Sequence, residues 1–324
     1  MTTYQSVLKQ YIHFAGEHTF KGKPAELYDP ANYILSLGGK RVRPLLALLG
    51  YQLVDPDIQR AMKLAHAVEV FHNFTLMHDD IMDNANVRRG EPTVHVKWDS
   101  SIAILSGDLM LVKAYQLLNE LDTDAESKSS IIRAFGDMAE SVCVGQQYDM
   151  NFEKLTDVSE ADYLHMIEGK TSVLLAFSLQ AGSILAGIDP ALEQDVYDYG
   201  LNIGLAFQVM DDYLDTFGDQ ASFGKRIGGD ILENKKTLLW IEAKKRCSSS
   251  QLKELQHWYS QTTESNEKIE AVTVLFKSLS VDTYAKEKMQ HYFEKANMHL
   301  AHIKKHYDTT ALEALANDLN ARNT

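Results

Sequence analysis

Apolar residues recur at helical spacing through most of the chain. Met62, Ala65, His66, the run 68–71, Phe74, Leu76 and Met77 recur at helical spacing, which predicts an amphipathic helix. The same periodicity runs through 102–118, 131–144, 163–185, 196–213, 238–243 and 289–303. No segment shows the strict alternation and β-branched enrichment of a half-buried strand. Segment 60–83 is apolar over more than half its circumference, which predicts a helix at the centre of a bundle. Punctuation fits this reading. Asp55-Pro56-Asp57 marks a turn and a helix start, and Asp189-Pro190 closes one helix and opens the next. Ser159 offers a cap ahead of Tyr163, and the polar stretches 122–130 and 247–250 separate helices. The pattern predicts an all-α protein of roughly ten or more helices. With no disordered linker and no repeat of fixed period, one domain over 1–324 is expected.

Composition narrows the setting. Only six prolines occur in 324 residues, so long stretches lack helix breakers. Hydrophobic residues make up 45% and charged residues 24%, as in a globular protein with a sizeable core. The formal net charge of −13 opposes nucleic-acid and anionic-membrane partners. Two cysteines, Cys143 and Cys247, exclude a disulfide framework. No continuous apolar run reaches the length of a membrane span, and the opening residues do not read as a signal peptide. These features predict a cytoplasmic protein with no stable membrane anchor.

Two acidic clusters break the apolar pattern. Asp79-Asp80-Ile81-Met82-Asp83 and Asp211-Asp212-Tyr213-Leu214-Asp215 each end a long apolar run. On a helix, residues four apart are neighbours, so Asp79 and Asp83 form one carboxylate pair and Asp211 and Asp215 another. Such repulsion, flanked twice by apolar residues, calls for a compensating cation. Oxygen ligands without His or Cys suit Mg²⁺, which keeps waters and bridges to substrate phosphates. Basic groups unexpected from the net charge accompany the clusters: Gly38-Gly39-Lys40-Arg41-Val42-Arg43, Arg88-Arg89-Gly90, Lys170-Thr171, Gly224-Lys225-Arg226 and Lys235-Lys236-Thr237. Glycines let a backbone approach an anion closely, and arginine supplies bidentate forks. A diphosphate clamped between Mg²⁺ and Lys/Arg uses both sets. His72 and Gln208 lie on the acidic faces of their helices, seven and three residues before the first aspartates.

At these residues the sequence resembles the trans-isoprenyl diphosphate synthases, the family of farnesyl and geranylgeranyl diphosphate synthases. The matching segments are GGKRVRP, HNFTLMHDDIMD, RRGEPT, SGDLM, GQQYD, GKTSVL, FQVMDDYLD, FGKRIGGD and ENKKT, in order over about 35–240. The last eighty or so residues match only as generic helix. The resemblance implies a bundle of mostly antiparallel helices around a deep central cavity, usually in a homodimer. It implies Asp79, Asp83 and Asp211 as principal ligands of two or three Mg²⁺ ions, supported by Asp80, Asp212 and Asp215. It assigns the allylic diphosphate to Arg88, Lys170, Lys225 and Lys235, with Thr171 and Gln208 nearby. Isopentenyl diphosphate falls to Lys40, Arg43, His72 and Arg89, with Gly39 in their loop.

The implied reaction ionises an allylic diphosphate and joins the cation to the double bond of isopentenyl diphosphate. In this family, bulky residues upstream of the first aspartates floor the chain cavity. Here Phe74 and Phe71 stand five and eight residues before Asp79, about 7.5 and 12 Å along a helix. Thr75 is small, so a C15 to C20 product is expected. Two other readings share parts of this pattern. A class I terpene cyclase would not need Lys40, Arg43 and Arg89. A non-catalytic subunit of a heteromeric synthase would tend to lose aspartates or basic residues, and this chain keeps both sets.

Overall fold

The computed structural model describes residues 4–218, 227–261 and 265–320. Among them are sixteen α-helices: α1 (Tyr4–Glu17), α2 (Ala25–Ser36), α3 (Val42–Gln52), α4 (Met62–Met82), α5 (Val94–Lys97), α6 (Ser100–Asn119), α7 (Ala125–Lys154), α8 (Glu160–Ile167), α9 (Val173–Ala186), α10 (Glu193–Phe217), α11 (Gly229–Leu232), α12 (Leu238–Arg246), α13 (Ser249–Tyr259), α14 (Asn266–Ser278), α15 (Val281–Ile303) and α16 (Thr310–Asn320). The described β-structure is a hairpin of β1 (Val87–Arg88) and β2 (Glu91–Pro92). The fold is therefore all-α.

The chain divides into two compact units. Unit 1 is Met1–Gly136, Phe177–Tyr197 and His302–Leu315; unit 2 is Asp137–Ala176, Asp198–Ala301 and Ala316–Thr324. Unit 1 is built around α4, which is buried on every side from Leu64 to Phe71 and packs against α3 and α6. That burial is why its sequence reads as apolar all round rather than striped. Phe71 meets Phe135, which meets Phe177, at ring-centroid separations of 5.1 and 5.7 Å. Asp57 opens the turn before α4 by accepting the N–H of Gln59. Pro30 lies within α2.

Helix α6 is long and apolar enough to cross a membrane, and about a third of it is buried within the protein. Its packing on α4 and α2 accounts for part of that character. Ile104, Leu105 and Val112 remain exposed on it.

The helical spacing read through 163–185 is borne out, with one feature it does not show. A π-turn over Glu168–Ser172 separates α8 from α9. The reason lies in α7. A Cβ at Gly145 would stand 2.2 Å from the backbone nitrogen of Lys170. Only glycine admits so close an approach, and the widened turn accommodates it. The Ser159 cap forms as expected on the N–H of Asp162. Ser248 opens α13 with a reciprocal capping box to Gln251.

Candidate active site

In unit 1 the end of α4 carries the first aspartates. Asp79 is half-buried, Asp83 caps the helix and is exposed, and Asp80 is buried. Asp80 does not face solvent as a ready ligand. It takes a bidentate bond from Arg88, with Nε at 2.8 and 2.9 Å from its two oxygens and Nη2 at 2.7 Å. The hairpin explains how adjacent arginines part company. Arg89 and Gly90 both have positive φ, +56° and +83°, as a two-residue I′-type turn requires. Arg88 stays on its strand and reaches Asp80, while Arg89 at the turn donates to the carbonyl of Gly38.

That contact changes the reading of the diglycine. Gly39 has φ +121°, and a Cβ on it would lie 2.7 Å from the guanidinium carbon of Arg89. The close approach that glycine permits is thus made by Arg89. Arg43 donates to Nε2 of His72 at 3.1 Å. Desolvation and then the charges of Arg43, Arg89, Arg88 and Arg41 hold the His72 imidazole well below its ordinary range. It is neutral at neutral pH, and its depression registers a concentrated positive field inside an acidic chain. Lys40 is exposed at the start of α3.

Arg41 differs from the other cations of its loop. Its guanidinium donates to the buried carboxylate of Glu69 and, at 2.5 Å, to the carbonyl of Leu35. Asn73 completes the cluster by donating to Glu69 Oε1 at 2.8 Å. Arg41 is thereby an anchor of the loop, not a free phosphate fork. Glu69 had a legible signal: a lone acid inside a buried apolar run needs a cation.

Unit 2 repeats the arrangement at the second cluster. Asp212, the middle aspartate, is buried and accepts the hydroxyl of Tyr163 and, at 3.2 Å, Nε2 of Gln208. Gln208 in turn accepts from Thr171 Oγ1 at 3.2 Å. Asp215 accepts the N–H of Asp230 at 3.0 Å. Desolvation and the charge of Asp230 push the Asp215 carboxyl up to about 7, and raise Asp212 well above its usual range. Lys170 meets Asp149 at 2.6 Å. Lys235 lies 2.8 Å from Glu233 and 3.7 Å from Asp230. Burial disfavours its charge, but the attraction of these acids wins and raises its pKa. Lys225 lies outside the described residues. Tyr163, Asp149 and Asp230 were not singled out as site residues from the sequence. Asp149 and Asp230 did stand within the matching segments.

The donor set fits a hard divalent cation. Burial and then the charges of Asp230 and Asp211 raise the proton affinity of Asp212, and burial and Asp230 raise that of Asp215, as happens to carboxylates whose charge is uncompensated. Among the described residues no three His, Cys, Asp or Glu converge into a protein-only cage. The chain-length candidates lie on α4. Phe71 is buried, while Phe74 is half-buried, 5.5 Å from the Phe71 ring and 4.8 Å from His78. Half-buried Thr75 donates to the carbonyl of His72 at 2.8 Å.

Comparison with known proteins agrees with this architecture. Residues 24–276 match the family model for polyprenyl synthetases. The short chain isoprenyl diphosphate synthase of Methanothermobacter thermautotrophicus is 40% identical over 252 residues, covering 76% of this chain and 77% of that protein. A crystal structure of a geranylgeranyl pyrophosphate synthase superposes with a TM-score of 0.93 at 41% identity, covering 100% of this chain and 99% of the other. The polyprenyl synthase of Caulobacter crescentus, solved with calcium and isoprenyl diphosphate, gives a TM-score of 0.85 at 27% identity, covering 99% and 95%. The chain belongs to the polyprenyl synthetase family. Its activity class is that of a short-chain trans-prenyltransferase.

Proposed function

We propose that this chain joins isopentenyl diphosphate head-to-tail to an allylic diphosphate, dimethylallyl, geranyl or farnesyl, with a C20 product favoured over C15. The observation that carries the substrate assignment is the parting of Arg88 and Arg89. Arg88 is committed to the acidic cluster, and Arg89 to the loop that bears Lys40 and leads into α3, which carries Arg43. On this reading Lys40, Arg43, Arg89 and neutral His72 hold isopentenyl diphosphate. Arg88, Lys170, Lys225 and Lys235 hold the allylic diphosphate, with Thr171 and Gln208 beside it. Asp79, Asp83 and Asp211 bind Mg²⁺. Asp80, Asp212 and Asp215 support them by fixing Arg88, Tyr163 and the Gly228–Asp230 segment.

Mg²⁺, when bound, neutralises charge building on the leaving diphosphate. The cationic side chains add to that stabilisation and orient both substrates. Apolar surroundings keep water from the allylic cation. The proton lost at the end goes to the departing diphosphate, so no aspartate has to act as a base. Phe74, half-buried at the side of α4, stops the growing chain, and Phe71 backs it. The free thiols of Cys143 and Cys247 fit a reducing, cytoplasmic setting. The exposed Ile104, Leu105 and Val112 of α6 suit a second copy in a homodimer rather than a membrane.

The test is elongation by purified protein with isopentenyl diphosphate and each allylic diphosphate, with and without Mg²⁺. Products are read by mass spectrometry and the assembly by sedimentation. Metal-dependent C20 formation by a dimer is the expected result. A hydrocarbon formed without isopentenyl diphosphate would identify a cyclase, and no turnover by folded protein would point to a missing catalytic partner.

A further inference from the structure

Lys268 on α14 is fully buried, the only lysine so placed among the described residues. A lysine in that position must have its ammonium satisfied from within the protein. No carboxylate among the described residues pairs with it. Its Nζ donates instead to Asn234 Oδ1 at 2.6 Å, to the carbonyl of Gln261 at 3.0 Å and to that of Leu232 at 3.5 Å. Leu232 is the last residue of α11, so the ammonium lies where a helix C-terminus exposes unpaired carbonyls. Asn234 sits in the left-handed region at φ +59° and donates its own amide to Gln261 at 3.0 Å.

The next residue along α14 secures the other end of the same segment. Ile269 packs so closely on Gly228 that a Cβ there would lie 2.7 Å from it. Asp215 holds the N–H groups of Gly228 and Asp230 from the side of α10. The stretch 228–235 is thus pinned at both ends by α14 and in its first turn by Asp215. It carries Asp230 and Lys235, whose backbone N–H closes on the Asp230 carbonyl at 2.9 Å.

We propose that Lys268 is a positioning residue for diphosphate capture, its buried ammonium fixing the turn at Leu232 and Asn234 so that Lys235 is presented beside Asp230. The inference rests on the reading of Lys235 as an allylic-diphosphate ligand. It gives a task to the C-terminal region, which carries no diphosphate motif of its own.

The experiment compares steady-state kinetics of the full-length Lys268→Met, Lys235→Ala and doubly substituted proteins for both substrates. Losing a hydrogen-bonded charge behind Lys235 should raise the KM for the allylic diphosphate about tenfold. The KM for isopentenyl diphosphate should stay within about twofold, since only one substrate is held there. Because Lys268 acts through Lys235, the double variant should be no worse than Lys235→Ala alone. An unchanged allylic KM in Lys268→Met, equal rises for both substrates, or multiplying effects in the double variant would overturn the inference. An unchanged allylic KM in Lys235→Ala would instead overturn the reading of Lys235 itself. Asn234→Gly keeps the left-handed backbone and removes the acceptor of Lys268. If Lys268→Met does not fold, this variant decides by the same two KM values.

Discussion

Removing the carboxylate of Glu69 should unsettle both the stability of unit 1 and its capture of isopentenyl diphosphate. The Glu69 side chain is 3% exposed and that of Arg41 is 12% exposed, so neither charge can turn to water when its partner is lost. Glu69→Ala leaves a buried guanidinium donating, among the described residues, to the Leu35 carbonyl alone and takes an acceptor from Asn73. Breaking a buried pair from one side costs about 3–5 kcal/mol. At about 2 °C per kcal/mol for a chain larger than most single domains, the melting temperature should fall by roughly 6–10 °C. Arg41→Ala should cost a similar amount, for it strands the carboxylate.

The pair itself is expected to contribute far less than either single loss suggests. Arg41→Met combined with Glu69→Leu replaces both charges with apolar groups of similar size and should be more stable than either single variant. Function should separate from stability in that double variant. Arg41 ties the loop to Leu35 and Glu69 between Lys40 and Arg43, so the KM for isopentenyl diphosphate should stay raised although stability returns. Urea unfolding followed by circular dichroism gives the first quantity, and initial rates at saturating allylic diphosphate give the second. If Glu69→Gln unfolded within about 1 kcal/mol of the parent and kept its KM, the anchoring role of Arg41 would be wrong.

Phe74→Ala should lengthen the product by at least one five-carbon unit; mass spectrometry showing an unchanged product would return Phe74 to the core. Gly39→Ala should weaken isopentenyl diphosphate binding more than allylic binding, because the added carbon displaces the Arg89 guanidinium and strains a φ of +121°; equal KM values for parent and variant would count against that contact. Glu160 governs acid stability in unit 2. Desolvation opposes its charge, but hydrogen bonds from Lys245, Lys288 and Tyr284 prevail and bring its pKa from 4.5 down to about 2. A folded value below the unfolded one means that its stabilisation is complete above pH 4.5 and drains away as pH falls toward 2. Melting temperature against pH should therefore be less steep across that window in Glu160→Gln, and curves of equal steepness would exclude the role.

Helical periodicity predicted the secondary structure well wherever one face decides burial. It mislaid the π-turn at Glu168–Ser172 because the signal there, Gly145 on α7, lies more than twenty residues away in sequence. Only tertiary packing connects the two. Lys268 escaped notice for a related reason. A lysine in a polar C-terminal helix reads as surface, and its burial depends on where Asn234 and Gln261 fall around it. The charges of the candidate site were legible as types, but their division of labour was not.

The backbone supplies that division. Asp79 and Asp80 are identical and adjacent, yet one step along a helix turns the second through about 100°. This carries Asp80 into the core, where Arg88 must neutralise it. Asp212 is turned inward in the same way after Asp211 and meets Tyr163 and Gln208. In each cluster, then, the middle carboxylate is buried and tied to its neighbours, while Asp79, Asp83 and Asp211 are half-buried or exposed and Asp215 is half-buried and held to the Gly228–Asp230 segment. The paired arginines are sorted by the other backbone rule, with Arg88 on a strand and Arg89 at its turn. Doubled residues of one type thus come to do unlike work. Exchanging Asp80 for asparagine should therefore disturb Arg88 and the allylic substrate, whereas the same exchange at Asp79 should act through the metal requirement. A comparison of Mg²⁺ titration curves for the two variants separates these effects: a shift to higher Mg²⁺ is expected for Asp79→Asn and a nearly parental midpoint for Asp80→Asn, and the reverse pattern would undo the assignment of the middle aspartates as anchors.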